Sequence, residues 1–288
     1  MSRVAVIGYA SLDHVAMLDG LPRAGRTTTI VDRPDGAWPR LGGSPAYVAG
    51  ALVANGVADA FPVSWVGDDT GGEIYRGQLA ARGIADDGIA VVPASRTPAS
   101  VMAYLPDGGC ACLYDPGLTD APGLTPAQER LIGRADWLCV TIGPAAATEA
   151  ALAAMSADAR LCWVVKHDPR AMPPSLATRM ASRADAIFCS QSERDFVGEA
   201  MAGRPAKAGQ VLIETHGGEG ATLLRDGHEW FAKANALMIA DPTGAGDSFA
   251  GGALAALVKG ESDPITILDA GHAAAHAVLA LRSKGPTE

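Results

Sequence analysis

Short, nearly uninterrupted apolar runs recur along the chain at 4–7, 61–66, 137–142, 161–165, 186–189 and 211–214. Runs of this length without a polar face predict strands buried on both sides, as in a parallel sheet covered by helices. Between them lie stretches with helical signals. One helix is predicted from Ser44 as N-cap, with Pro45 at the first helical position, to Gly56 just past its end, placing Ala49, Leu52 and Val53 on one face. Another is predicted from Gly72 to Arg82, stopping at Gly83. Strand and helix patterns in alternation define a layered α/β fold. Two stretches, 15–32 and 89–114, break the alternation with extended runs and turn residues such as Leu21-Pro22 and Asp107-Gly108-Gly109. Structureless loops of such length are uncommon, so a small β-sheet inserted as a lid is predicted there. No internal repeat or low-complexity linker interrupts residues 1–288, which read as one α/β domain carrying those two lid segments.

Composition narrows the setting. The chain has 23 Lys and Arg against 32 Asp and Glu, a net charge of −9, with the cations scattered. That pattern argues against a nucleic-acid or anionic-membrane surface. The five cysteines are odd in number and three sit in apolar runs, which fits a reducing cytoplasm. Cys110 and Cys112 have no second pair at metal-ligand spacing and are expected on one face of a strand. The apolar run at 4–7 has no basic leader before it, and no run reaches transmembrane length, so a cytoplasmic protein off the membrane is expected.

The chemistry concentrates in Asp241-Pro242-Thr243-Gly244-Ala245-Gly246-Asp247-Ser248-Phe249, which follows the apolar run 236–240. Pro242 and the glycines end the extended segment, and the small apolar residues after them predict a buried helix starting near Gly246. The backbone N–H groups of Gly244, Ala245 and Gly246 would then face an anion at a helix N-terminus, a phosphate cradle made without a lysine. An acid inside such a cradle makes sense if Asp247 meets an incoming hydroxyl as catalytic base for phosphoryl transfer. The alternative is that Asp247 only complements the helix dipole while the glycines serve the turn.

This run resembles the signature of the PfkB, or ribokinase-like, family of carbohydrate and nucleoside kinases, and further motifs follow in the family's order. The resemblance implies a three-layer α/β/α sandwich with a mainly parallel sheet and a small β-sheet lid. It implies transfer of the γ-phosphoryl of ATP, with Mg²⁺, to a hydroxyl of a small sugar or sugar-like substrate, and a homodimer formed through the lid. Asp13, in Gly8-Tyr9-Ala10-Ser11-Leu12-Asp13, looks like the family's sugar-binding acid, and Gly42, Gly43 and Tyr47 resemble its glycine-pair segment beside the substrate. Thr215, Gly217 and Gly220 resemble its T-x-G-x-x-G nucleotide loop. Ser190 and Glu193 resemble its N-x-x-E motif, whose Glu acts on Mg²⁺ through water. His272 would be a wall of the nucleotide site, and Asp241 and Thr243 match positions that hold a monovalent cation such as K⁺ in some relatives.

The chain departs from the family pattern in having Tyr47 and Ser190 where Asn is usual. A ring at Tyr47 could stack on a sugar or base. Lys166 and Arg170 read as surface cations, the alternative being contact with an anionic substrate group. Three other functions compete with a sugar kinase. A nucleoside kinase of the same family differs only in acceptor. A non-catalytic, ligand-sensing homologue would tolerate the two departures. A serine hydrolase would use Gly246-Asp247-Ser248, with Asp269 and His272 completing a triad.

Overall fold

Alternate residues of each central strand go to opposite faces of the main sheet, and both faces are covered. The computed structural model describes residues 2–34, 36–118, 122–203, 206–235, 237 and 241–283. The chain opens on β1 (Arg3–Ile7), then leaves for β2 (Ser11–Leu18), β3 (Ile30–Asp32) and β4 (Arg40–Gly42), returning through α1 (Ser44–Ala54) to β5 (Asp59–Gly67). After α2 (Thr70–Ala80) and β6 (Ile89–Val92) it departs again for β7 (Ala99–Tyr104) and β8 (Cys110–Asp115). Regular alternation follows through α3 (Pro126–Ile132), β9 (Trp137–Val140), α4 (Ala145–Ala154), β10 (Arg160–Val164), α5 (Pro174–Arg183), β11 (Ala186–Ser190), α6 (Arg194–Met201) and β12 (Val211–Thr215). A hairpin, β13 (Gly220–Arg225) and β14 (His228–Lys233), and two helices, α7 (Ala245–Val258) and α8 (Pro264–Ser283), complete the described chain.

The main sheet has the order β14-β13-β12-β11-β10-β9-β1-β5-β6 and is parallel from β12 to β6, with β13 and β14 antiparallel at one edge. Val4 and Val6 of β1 join a core with Leu52, Tyr75, Phe249, Leu254 and Ile267, residues of α1, α2, α7 and α8. Ala5 and Ile7 join a second core with Ile132, Ala151, Leu176 and Val197, from α3, α4, α5 and α6. Three layers result, and burial on both faces is why the strands read as continuous apolar runs. α8, long and apolar enough over Pro264–Arg282 to cross a membrane, packs against α7, β13 and β14.

The second sheet has the order β3-β2-β7-β8, with β4 also paired to β2. Its boundaries differ from the predicted 15–32 and 89–114. The first segment begins at Ser11 and takes in Arg40–Gly42, while Ile89–Val92 pairs in parallel with Ser64–Gly67 and belongs to the main sheet. Either sheet offers a partner for a short extended run, so local pattern alone does not assign it. Helix starts shift too: Gly43, without a side-chain cap, precedes α1, and the Asp69 side chain caps α2 by accepting from the Gly72 N–H. The extended segment predicted at 236–240 lies outside the described residues except for Leu237. From β1 the chain builds outward to β5 and β6, then turns the other way through β9 to β12. That reversal opens a crevice at the carboxyl ends of β1 and β9, where ligands of such sheets bind.

Candidate active site

Of the predicted site residues, Ser190 and Thr215 end the main-sheet strands β11 and β12, Asp13 and Gly42 lie on the lid strands β2 and β4, and Tyr47 lies on α1. The turn ahead of α7 closes the arrangement. Gly244 caps that helix with φ of 76°, a left-handed conformation that favours glycine, and a Cβ there would stand 2.6 Å from the Tyr47 ring. The predicted donor set needs one correction. The Ala245 N–H is committed to the Pro242 carbonyl at 3.1 Å, closing the turn. Among the described residues the N–H groups of Gly246 and Asp247 have no partner, and a Cβ at Gly246 would meet nothing within 4 Å. The Gly244 N–H likewise has no partner among the described residues, so of the expected donors only Ala245 is committed, and Asp247 adds one further into the helix start.

Asp247 is 7% exposed, and its Oδ1 is buried without a hydrogen bond among the described residues. Lys166 Nζ stands 3.9 Å from that oxygen. Lys166 leaves β10 two residues past its end and its side chain, still 41% exposed, turns toward Asp247, so it is a half-exposed cation at the site and not a plain surface one. The Asp247 charge, and more weakly that of Glu193, hold the Lys166 ammonium above its ordinary pKa against the effect of burial. The signal for Lys166 was its position: the functional residues of this sheet type come from strand carboxyl ends.

On one side of the turn lies a cleft of about 1120 Å³. Its walls include the predicted Ser190, Thr215, Gly217, Gly220 and His272 together with Ala245 and Gly246. Sequence reasoning did not place Lys233, Asn235, Phe249, Asp269 or His276 there, although His276 is one helical turn beyond His272. His272 Nε2 donates to the Ala232 carbonyl at 3.1 Å and its ring meets Phe249 edge-on at 5.1 Å, so it also fastens α8 to β14. No hydrolase triad is assembled. Ser248 Oγ is buried without a hydrogen-bond partner among the described residues, and His272 spends its Nε2 on a backbone carbonyl.

Glu193 follows the cleft residues Ser190, Gln191 and Ser192 in the chain and belongs to a capping box in which its Oε2 accepts from the Ser190 N–H and hydroxyl, each at 2.8 Å. Ser190 thus uses its hydroxyl to hold the Glu193 carboxylate. No hydrogen bond engages Glu193 Oε1 among the described residues, which leaves an oxygen for the water shell of a hydrated cation.

The lid supplies the other side. Asp13, on β2, is 5% exposed and its Oδ1 accepts from Ser11 Oγ at 2.9 Å; Ser11 in turn meets Ser100 Oγ at 2.9 Å. Burial raises the Asp13 pKa, and the Ser11 bond and the Arg40 charge offset this only in part. A Cβ at Gly42 would stand 2.3 Å from the Asp13 carboxyl, so the absent side chain of Gly42 is what admits Asp13. Cys112 and Tyr114 occupy the same face of the lid, and Tyr114 meets Tyr9 of the body at 6.3 Å between ring centroids. Tyr104 and Thr243 hydroxyls share a 2.6 Å hydrogen bond that ties lid to turn.

Two expectations fail against this geometry. Tyr47 packs its ring on Gly244, with its hydroxyl buried and unpartnered among the described residues, and so supports the turn from below instead of offering a face to substrate. Asp241 and Thr243 meet guanidinium groups where a free cation was expected. Arg40 Nη1 lies 2.7 Å from Asp241 Oδ2, and Arg282 Nη1 donates to the carbonyls of Asp241, at 3.1 Å, and Thr243. Burial would raise the Asp241 pKa, but the Arg40 and Thr243 hydrogen bonds and both guanidinium charges bring it below the usual carboxylate value.

An anion-binding helix start, a buried carboxylate beside it, a nucleotide-sized cleft on one side and a lid-borne acid on the other define an ATP-dependent phosphotransferase acting on small molecules. The chain belongs to the pfkB family of carbohydrate kinases, whose family model matches residues 1–287. It is similar to an ATP-dependent ribose-1-phosphate kinase of Halopiger xanaduensis, 29% identical over 265 residues that cover 88% of this chain and 84% of the relative. Among solved structures it resembles a ribokinase from Cryptococcus neoformans var. grubii in complex with ADP, with a TM-score of 0.79, 21% identity, and coverage of 99% of this chain and 95% of the other. A Burkholderia thailandensis nucleoside kinase in complex with inosine superposes with a TM-score of 0.74 at 21% identity, over 98% of this chain and 92% of the other. The fold is ribokinase-like, and the protein is an ATP-dependent sugar kinase.

Proposed function

We propose that the acceptor is a small sugar or sugar phosphate held between Asp13 and Asp247, and that Asp247 takes the proton of the hydroxyl that attacks the γ-phosphorus of ATP. The observation that carries this reading is Asp247 Oδ1, a buried carboxylate oxygen without a hydrogen bond, placed beside two open backbone N–H groups. An unmet buried acceptor is costly, and a substrate hydroxyl donating to it removes the cost. In the transfer a new P–O bond forms to the acceptor oxygen, the bond from the γ-phosphorus to the ADP oxygen breaks, and the hydroxyl proton passes to Asp247. The N–H groups of Gly246 and Asp247 meet the charge on the moving phosphoryl group. Mg²⁺ bound with ATP would neutralise phosphate charge, and Glu193 and Ser190 would hold its water shell.

Asp13 suits a sugar because its carboxylate can accept from two neighbouring hydroxyls. The free thiols of Cys110, Cys112, Cys139, Cys162 and Cys189 fit a reducing cytoplasm. Exposed Val101 and Leu113, cross-strand neighbours on the outer lid face, fit a homodimer formed there, which light scattering reads.

The test is ADP release against a panel of free sugars, ribose 1-phosphate, sugar acids and nucleosides, with the product identified by mass. A sugar or sugar phosphate is the expected best acceptor, and a panel headed by a nucleoside overturns the acceptor assignment. In the same assay Asp13→Asn is expected to raise the acceptor KM by about tenfold or more, the cost of losing one charged hydrogen bond, with the ATP KM unchanged. An unaltered acceptor KM removes Asp13 from the site.

A further inference from the structure

Buried backbone carbonyls that converge on one point need a donor or a cation there to satisfy them. In the turn before α7, three oxygens converge on Arg282 Nη1: the Asp241 carbonyl at 3.1 Å, the Thr243 carbonyl, and Asp241 Oδ1 at 3.7 Å. The Thr243 N–H donates to that same Oδ1 at 3.1 Å, and Arg40 takes Oδ2 from the other side. Asp241 is 3% exposed, so this single carboxylate is enclosed between two guanidinium groups. A dissolved monovalent cation brought to the same oxygens would meet Arg282 already in place and be repelled by it.

Arg282 reaches the turn from the last turn of α8, where the helix dipole favours a cation. Its side chain is 12% exposed and its guanidinium lies 6.0 Å from the centroid of the Tyr47 ring, the ring that fills the space beside Gly244. His272, Ala275, His276 and Leu279 of the same helix line the nucleotide cleft. One helix therefore carries both a cleft wall and the charge that orders the turn presenting Gly246 and Asp247.

We propose that Arg282 is a positioning residue, a tethered cation that sets the anion-hole turn, and that this kinase consequently needs no dissolved monovalent cation. The inference rests on the reading of Gly246 and Asp247 as the anion hole. A guanidinium is charged at every working pH and, being covalently attached, has no dissociation equilibrium to satisfy.

Turnover is measured in buffers whose monovalent cation is K⁺, Na⁺ or choline, for the wild-type chain and for Arg282→Ala and Arg282→Lys, with melting temperatures recorded in the same buffers. Wild-type rates and melting temperatures are expected to be the same in all three. Arg282→Ala is expected to lose about ten- to a hundredfold in kcat in choline, through a misplaced turn. Added K⁺ or guanidinium is expected to restore much of that rate and to raise its melting temperature, which neither does to the wild type. Arg282→Lys, which keeps the charge but not the fork, is expected to fall between the two and to serve if the alanine variant does not fold. Severalfold activation of the wild type by K⁺, or an Arg282→Ala variant of full activity in choline, overturns the proposal. A wild-type chain with no turnover on any acceptor removes the kinase reading instead, while the melting shift of Arg282→Ala with K⁺ still reports on the cation site.

Discussion

Asp247→Asn should turn over at least about a hundredfold more slowly than the wild-type chain at saturating ATP and acceptor, the scale of losing a general base. The substitution is close to isosteric, so α7, of which Asp247 is the third residue, keeps its packing, and the N–H groups of residues 246 and 247 stay in place. The KM for ATP should therefore change little, and the loss should fall on kcat. An amide at this position can still accept a hydrogen bond from the acceptor hydroxyl but does not take its proton at neutral pH. It also ends the charge pairing with Lys166 at 3.9 Å. A variant with near-normal kcat would falsify the assignment of Asp247 as base, whatever its effect on KM. A loss confined to KM would show that the carboxylate only binds.

How far this site was legible in the sequence depends on the range of the interaction that builds each part. The glycine turn and Asp247 are neighbours in the chain, and a helix N-terminus is a local feature, so both could be read directly. Even there, the commitment of the Ala245 N–H to Pro242 is a detail of turn geometry that residue types do not encode. The three-layer sandwich was legible because strands buried on both faces leave continuous apolar runs, as residues 4–7 do. Asp241 was misread because its partners come from elsewhere: Arg40 is 201 positions away and Arg282 is 41. An acid beside a turn looks the same whether a dissolved cation or a distant arginine completes it. The lid boundary failed for a similar reason. Ile89–Val92 and Ala99–Tyr104 are both short extended runs, and only long-range pairing sends the first to β5 and the second to β2. Tyr47 was read as a platform from its chemistry, when its place on α1 aims the ring at Gly244.

Lys166→Met should lower kcat by about a hundredfold, comparable to removing one preorganised donor from a site of developing charge, with a smaller effect on the KM for ATP. The backbone cradle has no lysine of its own, and Lys166 is the ammonium that the structure brings to Asp247. Before transfer the two charges offset each other. Once Asp247 accepts the hydroxyl proton its charge is gone, and the ammonium is left facing the phosphoryl oxygens. The pair thus becomes stabilising for the phosphoryl group at the moment of transfer, which is what distinguishes a catalytic contribution from tighter binding of both states. The Asp247 charge raises the Lys166 pKa, so the ammonium persists beyond the ordinary lysine value of about 10.4. Whatever stability the pair contributes is present below that value and lost only as pH rises through the higher folded pKa. The wild-type rate should accordingly show no loss assignable to Lys166 between neutrality and about pH 10. Lys166→Arg, which keeps the charge, should recover part of the rate. Because Lys166 and Asp247 act on the same proton and phosphoryl group, the double variant Lys166→Met with Asp247→Asn should be only slightly slower than Asp247→Asn alone. Strict additivity of the two losses, or a Lys166→Met variant with wild-type kcat, would return Lys166 to the scattered surface cations among which its composition first placed it.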